Sequence, residues 1–159
     1  MRILVLSDIH SDALSASLAI KRNPEAEYVF FLGDGIRDWE NLGDALKTKK
    51  TAAVRGNCDS SLSQYPLSMD INLEGKKIYL THGHAEHVKF GLEELISKGR
   101  ERKADIILFG HTHNPMNAYE DGLYLLNPGS VRENSCGIVD ITPGGIMCYA
   151  KPIVPYSWY

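Results

Sequence analysis

Residues Ile106-Ile107-Leu108-Phe109-Gly110-His111-Thr112-His113 form an apolar run that ends in a glycine and two imidazoles. A continuous stretch of Ile, Ile, Leu and Phe bounded by Gly reads as a strand buried on both faces, the kind found in sheets covered by helices. Whatever follows such a strand lies at its carboxyl end, where ligand sites form in open α/β sheets. Alternation along an extended chain places the two imidazoles of His-x-His on one side, and imidazole is the commonest protein metal ligand.

Other apolar runs end in the same way. Ile3 to Leu6 lead into Ser7-Asp8-Ile9-His10, with a carboxylate and an imidazole two residues apart. Tyr28 to Leu32 deliver Gly33-Asp34-Gly35, where glycine allows a tight turn beside the carboxylate. Thr51 to Val54 are followed by Arg55-Gly56-Asn57-Cys58-Asp59, and Lys77 to Leu80 by Thr81-His82-Gly83-His84. Five polar clusters thus follow five apolar strands. Gathered at one sheet edge, two carboxylates, four imidazoles and one carboxamide would be very costly to bury without a compensating ion.

Between these strands the pattern predicts crossover helices. Leu14, Leu18 and Ala19 fall at helical spacing up to Lys21, with Ser11 or Asp12 as N-cap and Asn23-Pro24 as the stop. A weaker helical pattern covers residues 36–46, and an amphipathic one covers 88–97, with Val88, Leu92, Leu95 and Ile96 on one stripe. Hairpins are expected at 67–80 through Glu74-Gly75-Lys76, at 115–126 through Asp121-Gly122, and at 136–151 through Thr142-Pro143-Gly144-Gly145. An α/β first half followed by hairpins supplies strands for two packed sheets. The tail Pro152-Ile153-Val154-Pro155-Tyr156-Ser157-Trp158-Tyr159 packs either on the body or on a second copy in a homo-oligomer.

The chain has 159 residues, 43% hydrophobic and 23% charged, which suits one domain spanning 1–159. A formal net charge of −3 gives no general attraction to nucleic acid or to a membrane surface. The basic clusters at 47–50 and 98–103 close helical patterns, where cations complement the helix dipole. Cys58, Cys136 and Cys148 are odd in number and widely spaced, so a reducing cytoplasm is expected and no disulfide framework is indicated. The opening apolar run stops after four residues, too short for a signal peptide.

Seven ligands, Asp8, His10, Asp34, Asn57, His82, His111 and His113, exceed one tetrahedral ion but suit two neighbours sharing a carboxylate, for which Asp34 stands between the earlier and later groups. Nitrogen and oxygen donors without thiolate favour manganese, iron, zinc, cobalt or nickel over magnesium, calcium or copper(I).

Taken together, Asp8-x-His10, Gly33-Asp34, Gly56-Asn57-Cys58-Asp59, His82-Gly83-His84 and Gly110-His111-Thr112-His113 resemble the calcineurin-like metallophosphoesterases, specifically their small bacterial and archaeal phosphodiesterase group. The resemblance implies a four-layer fold, two facing mixed sheets flanked by helices, with a dinuclear site at the rim. It assigns Asp8, His10 and His113 to one ion, Asn57, His82 and His111 to the other, and Asp34 to both. It also implies phosphodiester hydrolysis by a metal-bridging hydroxide on a small phosphodiester or nucleotide-like substrate, with Asn57, His84 and Asp59 as the remaining catalytic candidates. Larger members carry a His after the Asn; this chain has Cys58, which leaves His84 as the best proton donor to the leaving group, and Asp59 as an orienting group. Arg55 either meets a phosphate oxygen or simply ends its strand at the surface, and Asn127-Pro128-Gly129-Ser130 resembles a loop that buttresses the site, after which Val131-Arg132-Glu133 departs from the commoner continuation. His87 is expected at the surface. Two other readings share the motifs. One is a scaffold similar to the retromer subunit, although that pattern exchanges the bridging Asp and the Asn, which stand here as Asp34 and Asn57. The other is a metal-dependent nuclease, for which no basic groove is evident.

Overall fold

A computed structural model describes residues 1–155. The chain forms β1 (Arg2–Leu6), α1 (Ala13–Lys21), β2 (Tyr28–Phe31), α2 (Ile36–Asn41), α3 (Gly43–Leu46), β3 (Lys50–Ala53), β4 (Ser68–Leu73) and β5 (Lys76–Thr81). There follow α4 (Glu93–Glu101), β6 (Ile106–Leu108), β7 (Met116–Glu120), β8 (Leu123–Asn127), β9 (Ser135–Thr142) and β10 (Gly145–Pro152). Two five-stranded mixed sheets result, ordered β10-β9-β1-β2-β3 and β4-β5-β6-β8-β7. In the first, β1, β2 and β3 are parallel; in the second, β5, β6 and β8 are parallel.

Alternation along the central strands builds the layers. Ile3 and Val5 of β1, Phe30 of β2, Ile78 and Leu80 of β5, and Ile106 and Leu108 of β6 meet in one cluster between the sheets. Their neighbours face outward. Leu4, Leu6, Val29 and Phe31 pack beneath Ala16, Ala19 and Ile20 of α1 and Trp39 of α2. Tyr79 and Ile107 pack with Leu95 of α4 on the far side of the second sheet. A strand buried on both faces has no polar positions, which is why these runs are continuously apolar. Each fully buried Val, Leu, Ile or Phe is stabilising by roughly 1.5–3 kcal/mol relative to exposure, so the register of these strands is strongly specified.

Local chemistry explains the boundaries. Asp12 is the N-cap of α1, its side chain accepting from the amide of Ser15. Asp121 and Gly122, at φ +46° and +84°, make the turn between β7 and β8, and both left-handed positions favour such residues. The expected helix over 36–46 is divided at Leu42, where the amide bonds the carbonyl of Trp39 three residues back and Gly43 weakens the pattern. The expected helix over 88–97 is corrected to Glu93–Glu101. His87 at φ +52° and Gly91 at φ +155° break the helical path, so Val88 joins the cluster from a loop. The tail turns onto the body as far as Ile153, which is buried beneath the first sheet; Tyr156, Ser157, Trp158 and Tyr159 lie outside the described residues. No helix among the described residues is long and apolar enough to cross a membrane.

Candidate metal centre

The segments that follow β1, β2, β3, β5 and β6 converge where the two sheets share an edge, and the backbone there is unusual. Asp8, His10, Asp34, His111 and His113 all have positive φ, between +44° and +68°. Non-glycine residues seldom occupy this region, and such conformations persist only where the surroundings over-determine them. The surroundings here are specific. Asp8 donates its amide to the carbonyl of Gly33 at 2.9 Å, and the Ser130 hydroxyl donates to the carbonyl of Asp8 at 2.9 Å. The buried amide of Asn127 donates to the carbonyl of Gly110 and to the Thr112 hydroxyl, both at 3.0 Å. The Asn127-Pro128-Gly129-Ser130 loop therefore holds the ends of two different strands.

Two contiguous groups of donors result. Asp8 Oδ1, His10 Nε2 and His113 Nε2 form the first, with separations of 3.6, 3.1 and 3.2 Å. Asp34, His82 and His111 form the second, with Asp34 Oδ2 3.3 Å from His82 Nε2. Asp34 Oδ2 also lies 3.9 Å from His10 Nε2, which joins the groups. Donors about 2.0–2.2 Å from a shared ion stand roughly 3.0–3.5 Å from one another, so these spacings suit metal ligation. The hydrogen-bond inventory supports this. Asp8 Oδ2 accepts from the Ser7 hydroxyl at 2.6 Å and from the His111 amide at 3.2 Å. Asp8 Oδ1 and His82 Nε2, by contrast, are buried without any hydrogen-bond partner, a costly condition that a cation relieves. His82 Nδ1 lies 2.7 Å from the carbonyl of Leu32. A carbonyl only accepts, so Nδ1 carries the proton and Nε2 is the nitrogen available to an ion.

Electrostatics agree in direction. Burial opposes ionisation of Asp34, but His82 and the Cys58 amide outweigh it and hold the carboxyl well below the usual range. Burial likewise disfavours His82 as a cation, yet Asp34 and Asp8 raise it above the ordinary imidazole value. Burial and the neighbouring His82 charge lower His111 to about 4 and lower His84 as well. The His84 ring centre lies 5.5 Å from that of His82 and 6.1 Å from that of His111, and its buried Nδ1 has no partner.

The other candidates fall in different places. Asp59 does not face the donors. Its Oδ2 accepts from the amides of Asp34 and Gly56 at 2.8 Å, and its Oδ1 from those of Gly35 and Ile36 at 2.9 Å. This carboxylate thus fixes the backbone on which Asp34 stands. Asn57 is exposed, and its side chain donates to Cys58 Sγ at 3.3 Å; it makes no hydrogen bond to the other six predicted ligands. Cys58 Sγ instead comes within 4.8 Å of donor atoms of His10 and Asp34. Burial and the Asp34 and Asp59 carboxylates push its thiol up to about 11, so it is protonated at neutral pH. Arg55 is half-buried, with its Nε unpartnered and Nη1 reaching the carbonyl of Ser60 at 3.4 Å. His87 is exposed and pairs with Glu94 at 2.8 Å.

Sequence reasoning missed two carboxylates. Glu86 is buried and accepts from the Tyr79 and Thr81 hydroxyls at 2.9 Å, while the Thr81 hydroxyl accepts from the amide of Gly83. The segment carrying His82 and His84 is fastened by this network. Glu133 Oε1 lies 3.1 Å from His113 Nδ1. Nothing in the local pattern marks either residue: Glu86 meets Tyr79 and Thr81 across a turn of irregular spacing, and Glu133 meets a residue twenty positions earlier.

The calcineurin-like phosphoesterase superfamily domain matches residues 1–142. A probable metallophosphoesterase, YsnB of Bacillus subtilis, is 32% identical over 132 residues, covering 83% of this chain and 76% of that protein. The phosphodiesterase YfcE of Escherichia coli K12 is 30% identical over 155 residues, covering 82% and 79%. Among solved structures, a predicted phosphoesterase of Streptococcus pneumoniae matches with a TM-score of 0.74 at 27% identity, covering 94% of this chain and 97% of that one. Vps29 of Entamoeba histolytica, complexed with zinc, shares the fold with a TM-score of 0.70 at 22% identity, covering 97% and 100%.

Proposed function

The chain belongs to the calcineurin-like phosphoesterase superfamily, and from that premise we propose that it is a dinuclear-metal-dependent phosphodiesterase. The observation that carries the reading is the pair of adjoining donor groups that meet at Asp34, with Asp8 Oδ1 and His82 Nε2 buried and unpartnered between them. Asp8, His10 and His113 would hold one ion, His82 and His111 the other, and Asp34 both. Asn57 completes the second set once its amide turns from Cys58. Such a pair supplies an acidified water near neutral pH and neutralises charge on phosphoryl oxygens. Manganese is the ion proposed, with nickel, iron, zinc or cobalt as alternatives that a set of imidazoles and carboxylates also accepts.

The chain's own residues do the rest. Asp59 fixes Asp34 through the backbone, and the Leu32 carbonyl keeps His82 Nε2 free of a proton when the ring is neutral. Arg55, with an unpartnered guanidinium nitrogen, is placed to bond a non-bridging phosphate oxygen. His84 stands beside the second donor group with one ring nitrogen unused. Its lowered pKa makes it a neutral hydrogen-bond donor to the leaving oxygen rather than a resident imidazolium. The net reaction is addition of water across a P–O ester bond: the hydroxyl joins phosphorus and the proton goes to the departing alkoxide.

The test is hydrolysis of bis(p-nitrophenyl) phosphate against p-nitrophenyl phosphate, with Mn²⁺, with other divalent metals and with EDTA, in the wild type and Asp34→Ala. Metal-dependent turnover that prefers the diester and disappears in the variant is the expected result. No turnover of either ester with any metal, in a folded protein, would make a protein-binding scaffold on this fold the reading to pursue.

A further inference from the structure

The two donor groups are held in different ways. On one side the His82 side chain is fully buried, with 0% exposure, and its Nδ1–H is fixed by a main-chain carbonyl. On the other side His10 and His113 are 23% and 33% exposed. The partner that orients His113 is a side chain, Glu133, itself 61% exposed. His113 and Glu133 also line an open cavity of about 350 Å³ that is shared with Lys151.

Although exposed, Glu133 is not free to wander. It ends the 3₁₀ turn Val131–Glu133, and that turn is fastened to the site itself. The Val131 amide donates to the carbonyl of Ser7 at 2.9 Å, directly before the ligand Asp8. The Glu133 amide donates to the carbonyl of Ser130, whose hydroxyl holds the carbonyl of Asp8. From the other side, the Ile153 amide donates to the carbonyl of Asn134, and the Asn134 side chain bonds both the amide and the carbonyl of Val154. One turn therefore sets Asp8 and aims a carboxylate at His113.

An exposed ion pair contributes little through Coulomb energy alone. What Glu133 supplies is a fixed acceptor for the outer ring nitrogen. Carboxylates face the ring from both sides, Asp8 Oδ1 3.1 Å from Nε2 and Glu133 Oε1 3.1 Å from Nδ1; with an ion on Asp8 and Nε2 the ring proton lies on Nδ1, where Glu133 accepts it and sets the angle of the ring. We propose that Glu133 is the positioning residue for His113, and through it for the ion that Asp8, His10 and His113 would hold. This rests on the dinuclear reading above.

The test uses the full chain as wild type, Glu133→Ala and Glu133→Gln. The glutamine keeps a carbonyl acceptor for Nδ1–H and loses only the charge. Metal-stripped protein is titrated with Mn²⁺, with free Mn²⁺ followed by its electron paramagnetic resonance signal. The wild type binds two ions in two steps. Glu133→Ala weakens one step by about 10–100-fold and leaves the other unchanged, while Glu133→Gln stays within about threefold of the wild type. Equal weakening of both steps, unchanged binding in Glu133→Ala, or a Glu133→Gln as weak as Glu133→Ala would overturn the role of Glu133. A wild type that binds a single ion would remove the dinuclear reading, leaving the affinity of that one ion in the two variants to decide what Glu133 does.

Discussion

Replacing Asp59 by Asn separates a residue that fixes the site from one that reacts in it. The Asp59 carboxylate accepts from four main-chain amides, those of Asp34, Gly35, Ile36 and Gly56, at 2.8–2.9 Å. An asparagine offers one acceptor oxygen and one NH₂, so two of these amides lose their acceptor and face a donor instead. Hydrogen bonds to a charged acceptor are worth about 1.5–3 kcal/mol each, and two are lost from a half-buried position, which sets the cost at about 3–6 kcal/mol. For a domain of this size each kcal/mol moves the midpoint by roughly 2–4 °C, so the thermal transition should fall by roughly 6–24 °C. The assay is thermal unfolding of metal-free and Mn²⁺-loaded protein by circular dichroism, with bis(p-nitrophenyl) phosphate turnover measured below the transition of the variant. Metal affinity should fall with stability, because the displaced backbone carries Asp34. A variant with an unchanged midpoint and unchanged metal affinity but lost turnover would refute this reasoning and make Asp59 a proton-transfer group.

The other expectations concern packing, protonation and the thiol. A Cβ on Gly56 would overlap Asp34 Oδ1 and lie 2.7 Å from Asp34 Cγ, so Gly56→Ala should cost about 1–3 kcal/mol and weaken Mn²⁺ binding. Gly43→Ala, with no atom within 4 Å of the new carbon, should stabilise α3 by up to about 1 kcal/mol; calorimetric titration and thermal melts of the pair check the contrast. In the metal-free protein the raised His82 contributes stability that is complete below its unfolded pKa of about 6.5 and disappears as pH rises through the folded value. The depressed Asp34 contributes stability present above an unfolded pKa of about 3.9 and lost as pH falls through its folded value. Melting temperatures of metal-stripped protein should therefore decline toward alkaline pH while Mn²⁺ affinity increases, since a ligating His82 must lose its proton; a metal-free midpoint that climbs steadily from pH 6 to 9 would contradict this. With its thiol raised to about 11, Cys58 should react with iodoacetamide on the order of 10²-fold more slowly than a free cysteine at pH 7.5 despite its exposure. Peptide mass spectrometry measures this, and labelling at the free-thiol rate would mean that the thiol is ionised.

The places of the central strands, and of the polar residues that end them, were legible for one physical reason. Strands buried on both faces are written as unbroken apolar runs, and polar residues that end them must occupy the sheet edge. Ile106–Leu108 and Tyr28–Phe31 carry that signal without help from the rest of the chain. Helix limits were less legible, because the stripe of Val88, Leu92, Leu95 and Ile96 is shared between a loop and α4. A positive φ at His87 and Gly91 separates them without altering the periodicity of the sequence. The partners of the ligands were not legible at all. Glu86 and Glu133 act through Thr81 and His113 across contacts that only the folded chain makes, and Asp and His adopt the left-handed conformation of Asp8, His10 and Asp34 more readily than most residues without requiring it.

Those left-handed candidate donors explain why so much of the surrounding polar chemistry is spent on backbone. A metal site needs donor atoms within a few tenths of an ångström of their working positions, and a sheet edge supplies strands whose side chains point to its faces rather than to its rim. Turning the chain at Asp8, Asp34 and His111 brings their side chains to the rim, at a conformational cost of order 1–3 kcal/mol for each such residue. That cost has to be offset locally, and the offsets are visible: Asp59 on the amides around Asp34, Ser130 on the carbonyl of Asp8, and Asn127 on the carbonyl of Gly110. A substitution at any of these three should therefore loosen the donors before it unfolds the domain. The residues to examine in a weakened variant of this protein are those that hold the main chain, none of which would bear an ion.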